Sequence, residues 1–64
     1  MSDRSDRLTD EFRREVFLAL VTAQDGGTPV VQSRLAVAAD FGLSEPDVRR
    51  IEREGIEAGW PPLG

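Results

Sequence analysis

Four arginines, Arg34, Arg49, Arg50 and Arg53, are the side chains in this sequence best suited to hold a ligand. On a helix, at about 100° per residue, Arg50 and Arg53 share a face and Arg49 lies on its flank. A guanidinium presents a planar fork of N–H donors that fits a guanine edge or a pair of phosphate oxygens. The chemistry open to this set is recognition of nucleic acid, with Arg49 and Arg50 meeting DNA and Arg53 and Arg34 against phosphates. The same spacing also has a plainer reading. Arg50–Glu54 and Arg53–Glu57 are i to i+4 pairs that would neutralise a solvated face.

Two carboxylate groups, Asp10-Glu11 and Glu52/Glu54/Glu57, invite an acid–base or metal reading. Histidine and cysteine are both absent, which removes disulfides, thiol chemistry, the common zinc sites and imidazole catalysis. A chain of 64 residues also has little room for a water-excluding pocket. The expectation is surface carboxylates, no enzymatic activity, no metal and no cofactor.

Charge sets a second bound. The net charge is -4, and all eight basic residues are arginine. Divided at Val31, each half carries four arginines against six carboxylates. A duplex is a dense polyanion, and proteins that bind it alone concentrate positive charge to displace its counterions. An acidic chain therefore needs help to hold DNA, either a homodimer that doubles its arginine contacts or a protein partner. The longest near-apolar run, "VFLALVTA" at residues 16–23, falls far short of the roughly 20 residues of a membrane span. A soluble, cytoplasmic protein without membrane contact is expected.

The elements that must position these groups follow from periodicity and punctuation. Residues 1–8 read as a polar leader. Thr9 is a suitable N-cap, with Ser5 as an earlier alternative, and residues 9–25 form the first predicted helix. Its main stripe is Leu8, Phe12, Val16, Ala19, Leu20 and Ala23. Phe17 and Val21 point nearly opposite and Leu18 sits between, so the three are expected to form a partner or homodimer interface. Cover by the leader or by the "WPPLG" tail is the alternative for that face.

"DGG" at residues 25–27 stops the helix. Residues 33–41 are predicted to form a short second helix capped by Ser33, with Leu35, Val37, Ala38 and Phe41 inward; an earlier start at Thr28-Pro29 is the alternative. Ser44 and Asp47 have capping-box spacing ahead of a third helix over 45–58, whose buried stripe is Val48, Ile51, Gly55 and Ile56. Gly59 should end it, and Trp60 of the tail over 59–64 should fold back on the last turn, unless "WPPLG" serves as an exposed docking peptide. The fold class is all-α, a single three-helix domain.

From Ser33 to Ile56 the chain resembles region 4 of the housekeeping (sigma-70-type) bacterial sigma factors, which contacts the promoter's -35 element. Val37-Ala38 stands at a Val-Gly pair of that family, Phe41-Gly42-Leu43-Ser44 at its turn, and Val48-Arg49-Arg50-Ile51-Glu52 in its second helix. The match covers 24 of 64 residues without a gap. It implies a C-terminal helix-turn-helix, a DNA-binding or transcription-associated regulator, and double-stranded DNA and RNA polymerase as partners. Arg49 stands at a family position that contacts base edges. Glu45, Pro46 and Asp47 depart from the family, which usually has a basic residue, Glu and another basic residue there, and they support a different class: a protein-interaction module that keeps the fold without binding DNA.

Overall fold

The structure is a computed structural model that describes residues 9–63. The leader expected over 1–8, the alternative start at Ser5, and Gly64 lie outside the described residues. Three helices follow one another: α1, Asp10–Asp25; α2, Val30–Phe41; and α3, Glu45–Ala58. No strand occurs among the described residues, so the all-α expectation holds. Among the same residues no helix is long and apolar enough to cross a membrane.

The boundaries of α1 and α3 are those read from local signals. Thr9 caps α1, its Oγ1 accepting the Phe12 N–H at 3.2 Å, and Asp10 and Glu11 place negative charge in the first turn. At the other end Gly27 takes the left-handed backbone, at φ 100°. Ser44 and Asp47 cap α3 reciprocally: the Asp47 N–H donates to Ser44 Oγ, and the Ser44 N–H donates to the Asp47 carboxylate. Gly42, at φ 69°, ends α2 and leaves residues 42–44 as a three-residue turn into α3.

α2 differs from expectation. It begins at Val30 after Pro29, so Ser33 lies within its first turn rather than at its cap. The Ser33 N–H donates to the Pro29 carbonyl at 2.8 Å, which already closes a helical turn. Proline suits this boundary because it lacks an N–H that a helix start would leave unpaired.

Burial corrects three further assignments. Phe17, expected on an outer face, is fully buried. The inward arc of α1 runs over Val16, Phe17 and Leu20, while Leu18 is half exposed and Val21 packs at the edge of the core. Leu35, expected inward, is 53% exposed, because it sits two residues from both Ser33 and Val37 and so faces away from them. Ile56 is 58% exposed, since Val48, Ile51 and Gly55 fill the inward arc of α3.

The alternative cover for Phe17 explains its burial. Trp60, 5% exposed, packs edge-on to the Phe17 ring at 6.0 Å and 80°, and its backbone N–H donates to the Gly55 carbonyl at 3.0 Å. The Arg14 guanidinium lies over the outer face of the indole, 5.2 Å from its centroid. Beneath this, the Phe17 ring rests on the α3 backbone at Gly55, occupying the space a β-carbon there would need. Phe12 and Phe41 make a second edge-on pair at 5.7 Å, fastening α1 to the end of α2.

Gly55→Ala should therefore destabilise the domain by about 1–3 kcal/mol, the usual cost of overpacking, even though alanine is the better helix former. The loss should shrink in a Phe17→Leu background, where the ring is gone. Urea unfolding of the four proteins of this cycle reads both effects.

Candidate nucleic-acid interface

α3 presents two different surfaces. Val48, Ile51 and Gly55 enter the core, while the outward arc carries Pro46, Arg50 and Arg53, with Arg49 on one flank and Glu57 one turn beyond Arg53. All three of these arginines are exposed. Among the described residues none has a carboxylate within ion-pair distance.

The i to i+4 pairs expected on this face are not formed. Glu54 turns toward α1 instead, where its two carboxylate oxygens accept from Arg13 Nε at 2.9 Å and from the Arg13 guanidinium at 3.0 Å. Arg53 and Glu57 are both exposed without pairing.

Arg34 is placed differently from the other three. Its side chain is 23% exposed and lies against α3, with Nε 2.9 Å and Nη2 2.8 Å from Glu52 Oε1. A more distant contact, 3.9 Å, reaches Glu45. Where a phosphate contact was expected of Arg34, its guanidinium is engaged by Glu52 and, more distantly, by Glu45, which holds α2 on α3.

Glu52 extends this link to α1. Its second oxygen accepts from Gln24 Nε2 at 3.3 Å, and the same amide donates to Ser33 Oγ at 3.1 Å. The Ser33 hydroxyl in turn donates to the Val30 carbonyl at 2.6 Å, which is how a fully buried serine is satisfied within a helix. No buried side-chain nitrogen or oxygen among the described residues lacks a partner. Sequence reading missed Gln24 and Glu52 in this role. The one available signal was Ser33, a small polar residue at helical spacing from Val37 and Phe41.

The acids near the start of α3 also have structural tasks. Asp47 caps the helix and Glu45 faces Arg34. What remains outward over the first turns of α3 is Pro46 and the three arginines, which line an open hollow. An adjoining open groove runs over Arg34, Arg49, Glu52, Arg53, Ile56 and Glu57. Such a surface can accept anionic oxygens through multiple guanidinium donors. Among the described residues no cluster of carboxylates has the arrangement of a metal site.

The partner interface expected from Phe17, Leu18 and Val21 is not assembled as one exposed face. Phe17 is in the core, Val21 is partly covered, and Leu18 alone of the three stands half exposed. The chain matches no protein-family model, no curated protein and no solved structure.

Glu52→Gln should cost about 1–3 kcal/mol in a denaturant titration, because it leaves a half-buried guanidinium without its principal anion. Arg34→Met together with Glu52→Leu should recover part of that loss, since apolar groups of similar volume need no partner.

Proposed function

We propose that α2, the turn at residues 42–44 and α3 act as a helix-turn-helix that grips duplex DNA with the outward arc of α3, in a transcription-associated role. One observation carries the reading: Arg49, Arg50 and Arg53 are exposed together and lack carboxylate partners among the described residues, while Glu45, Asp47, Glu52 and Glu54 of the same helix cap it, clamp Arg34 or pair with Arg13, and Glu57 stays exposed. On a random duplex Arg49, Arg50 and Arg53 each meet a phosphate, and on a specific site Arg49 and Arg50 turn to base edges, with Pro46 against the groove wall. The helix has 14 residues, so it is about 21 Å long, and a major groove about 12 Å wide admits it. The resemblance to sigma-factor region 4 points the same way. Such a role is exercised in the cytoplasm. With a net charge of -4, affinity is modest unless a partner such as RNA polymerase adds to it.

A second reading, a protein-interaction module of the same shape, is favoured by that net charge and by Glu57 at the end of the outward stripe. The two separate in fluorescence anisotropy against a labelled random duplex. Three phosphate-neutralising arginines imply a salt slope near -2.7, so affinity should fall about 40-fold between about 50 mM and about 200 mM salt. Arg49→Ala/Arg50→Ala should reduce the slope by about 1.8. No binding at the lower salt, or a slope the double substitution leaves unchanged, would sink the reading of an unaided DNA grip and favour the protein-interaction module.

A further inference from the structure

α1 and α3 carry outward stripes of opposite charge and equal spacing. Glu11, Glu15 and Leu18 are exposed on α1 at intervals of four and three residues, and Arg49, Arg53 and Ile56 are exposed on α3 at the same intervals. These intervals set each trio along one side of its helix. Leu18 is 50% and Ile56 58% exposed, so each stripe ends in an uncovered apolar side chain. The four charged residues make no ion pair among the described residues. They cannot meet within one molecule, because α1 and α3 touch through other sides, at Arg13–Glu54 and Phe17–Gly55.

We propose that the basic stripe of α3 docks on the acidic stripe of α1 in a second copy of this chain. Arg49 lies against Glu11, Arg53 against Glu15 and Ile56 against Leu18, the two helices running parallel. The occupant is another copy because this chain itself supplies the opposite charges in matching register with an apolar side chain at the matching end. Each copy offers one stripe of each sign, so the contact is heterologous, and association grows with concentration into rings or chains. Two exposed ion pairs and one apolar contact make a weak link that salt screens. Docking does not depend on DNA binding. The shared α3 face does mean that duplex and second copy compete for Arg49 and Arg53, which makes self-docking a brake on the proposed DNA grip.

The test is sedimentation velocity of the full chain over a concentration series, in about 20 mM and about 500 mM salt, where the screening length falls from roughly 20 Å to a few ångströms. At low salt the weight-average mass should rise with concentration above the 7.1 kDa monomer, and at high salt it should return to it. Arg49→Glu/Arg53→Glu and Glu11→Arg/Glu15→Arg should each be monomeric alone. An equimolar mixture of the two should associate again, because each restores the sign its partner lacks. Circular dichroism checks the fold of both. Should either lose helicity, Arg49→Gln/Arg53→Gln and Glu11→Gln/Glu15→Gln take over, with loss of association expected for each. A wild-type mass that stays monomeric at low salt, association that the substitutions leave intact, or foldable reversed variants that fail to associate when mixed would overturn the proposal. Self-association without duplex binding would leave docking standing and remove only the DNA reading; the converse result would do the opposite.

Discussion

The carboxylate of Glu52 is where the three helices meet. One oxygen holds Arg34 of α2, and the other accepts from Gln24 of α1, whose amide also engages the buried Ser33. With side-chain exposures of 15% for Glu52 and 23% for Arg34, the pair is partly shielded from water, so the attraction between its charges is stronger than at an open surface. Burial makes the arrangement demanding as well, because a missing partner would leave a shielded charge or hydroxyl unsatisfied. The mutual orientation of α2 and α3, and with it the direction of the outward arc of α3, depends on this network.

The same network sorts the charges. Arg13 and Arg34 draw Glu54, Glu52 and Glu45 toward the seams between helices, and Asp47 is used in capping. An acidic domain is thereby left with a helix surface on which three guanidiniums stand together. Net charge describes solubility and long-range attraction, whereas ligand contact depends on which charges remain unengaged at the surface. The two measures diverge here because the internal partners of the seam arginines come largely from α3 itself.

A small domain has few ways to close its core, and the solution here is aromatic. Phe17 lies on the bare backbone of Gly55, Trp60 covers it edge-on, and Arg14 covers the indole. The glycine allows α1 and α3 to approach closely, and the left-handed Gly59 turns the chain so that Trp60 can return. Trp60 is thus part of the core, contrary to a reading of the whole segment as a free docking peptide, while Pro61, Pro62 and Leu63 stay exposed. The two helices whose outward stripes carry opposite charge are the ones this stack joins.

The ends of α1 and α3, and the C-terminal end of α2, were legible in the sequence because their determinants are local. Thr9 and Ser44 bond to N–H groups three residues on, and Gly42 and Gly59 adopt a backbone that other residues disfavour, so their placement needs no knowledge of the rest of the chain. The three-helix architecture and the outward placement of Arg49, Arg50 and Arg53 follow from the same local pattern. Which faces are inward was decided by tertiary packing. Phe17 lies off the main stripe of α1, and packing on Gly55 of α3 and under Trp60 assigns it to the core. Leu35 and Ile56 are apolar yet exposed, because Val37, Ala38, Val48, Ile51 and Gly55 already fill the space between helices. The role of Arg34 likewise rests on Glu52, 18 residues away, and that of Gln24 on the same carboxylate across 28 residues. No periodicity reports such pairs, since they exist only once folding brings distant side chains within hydrogen-bond reach.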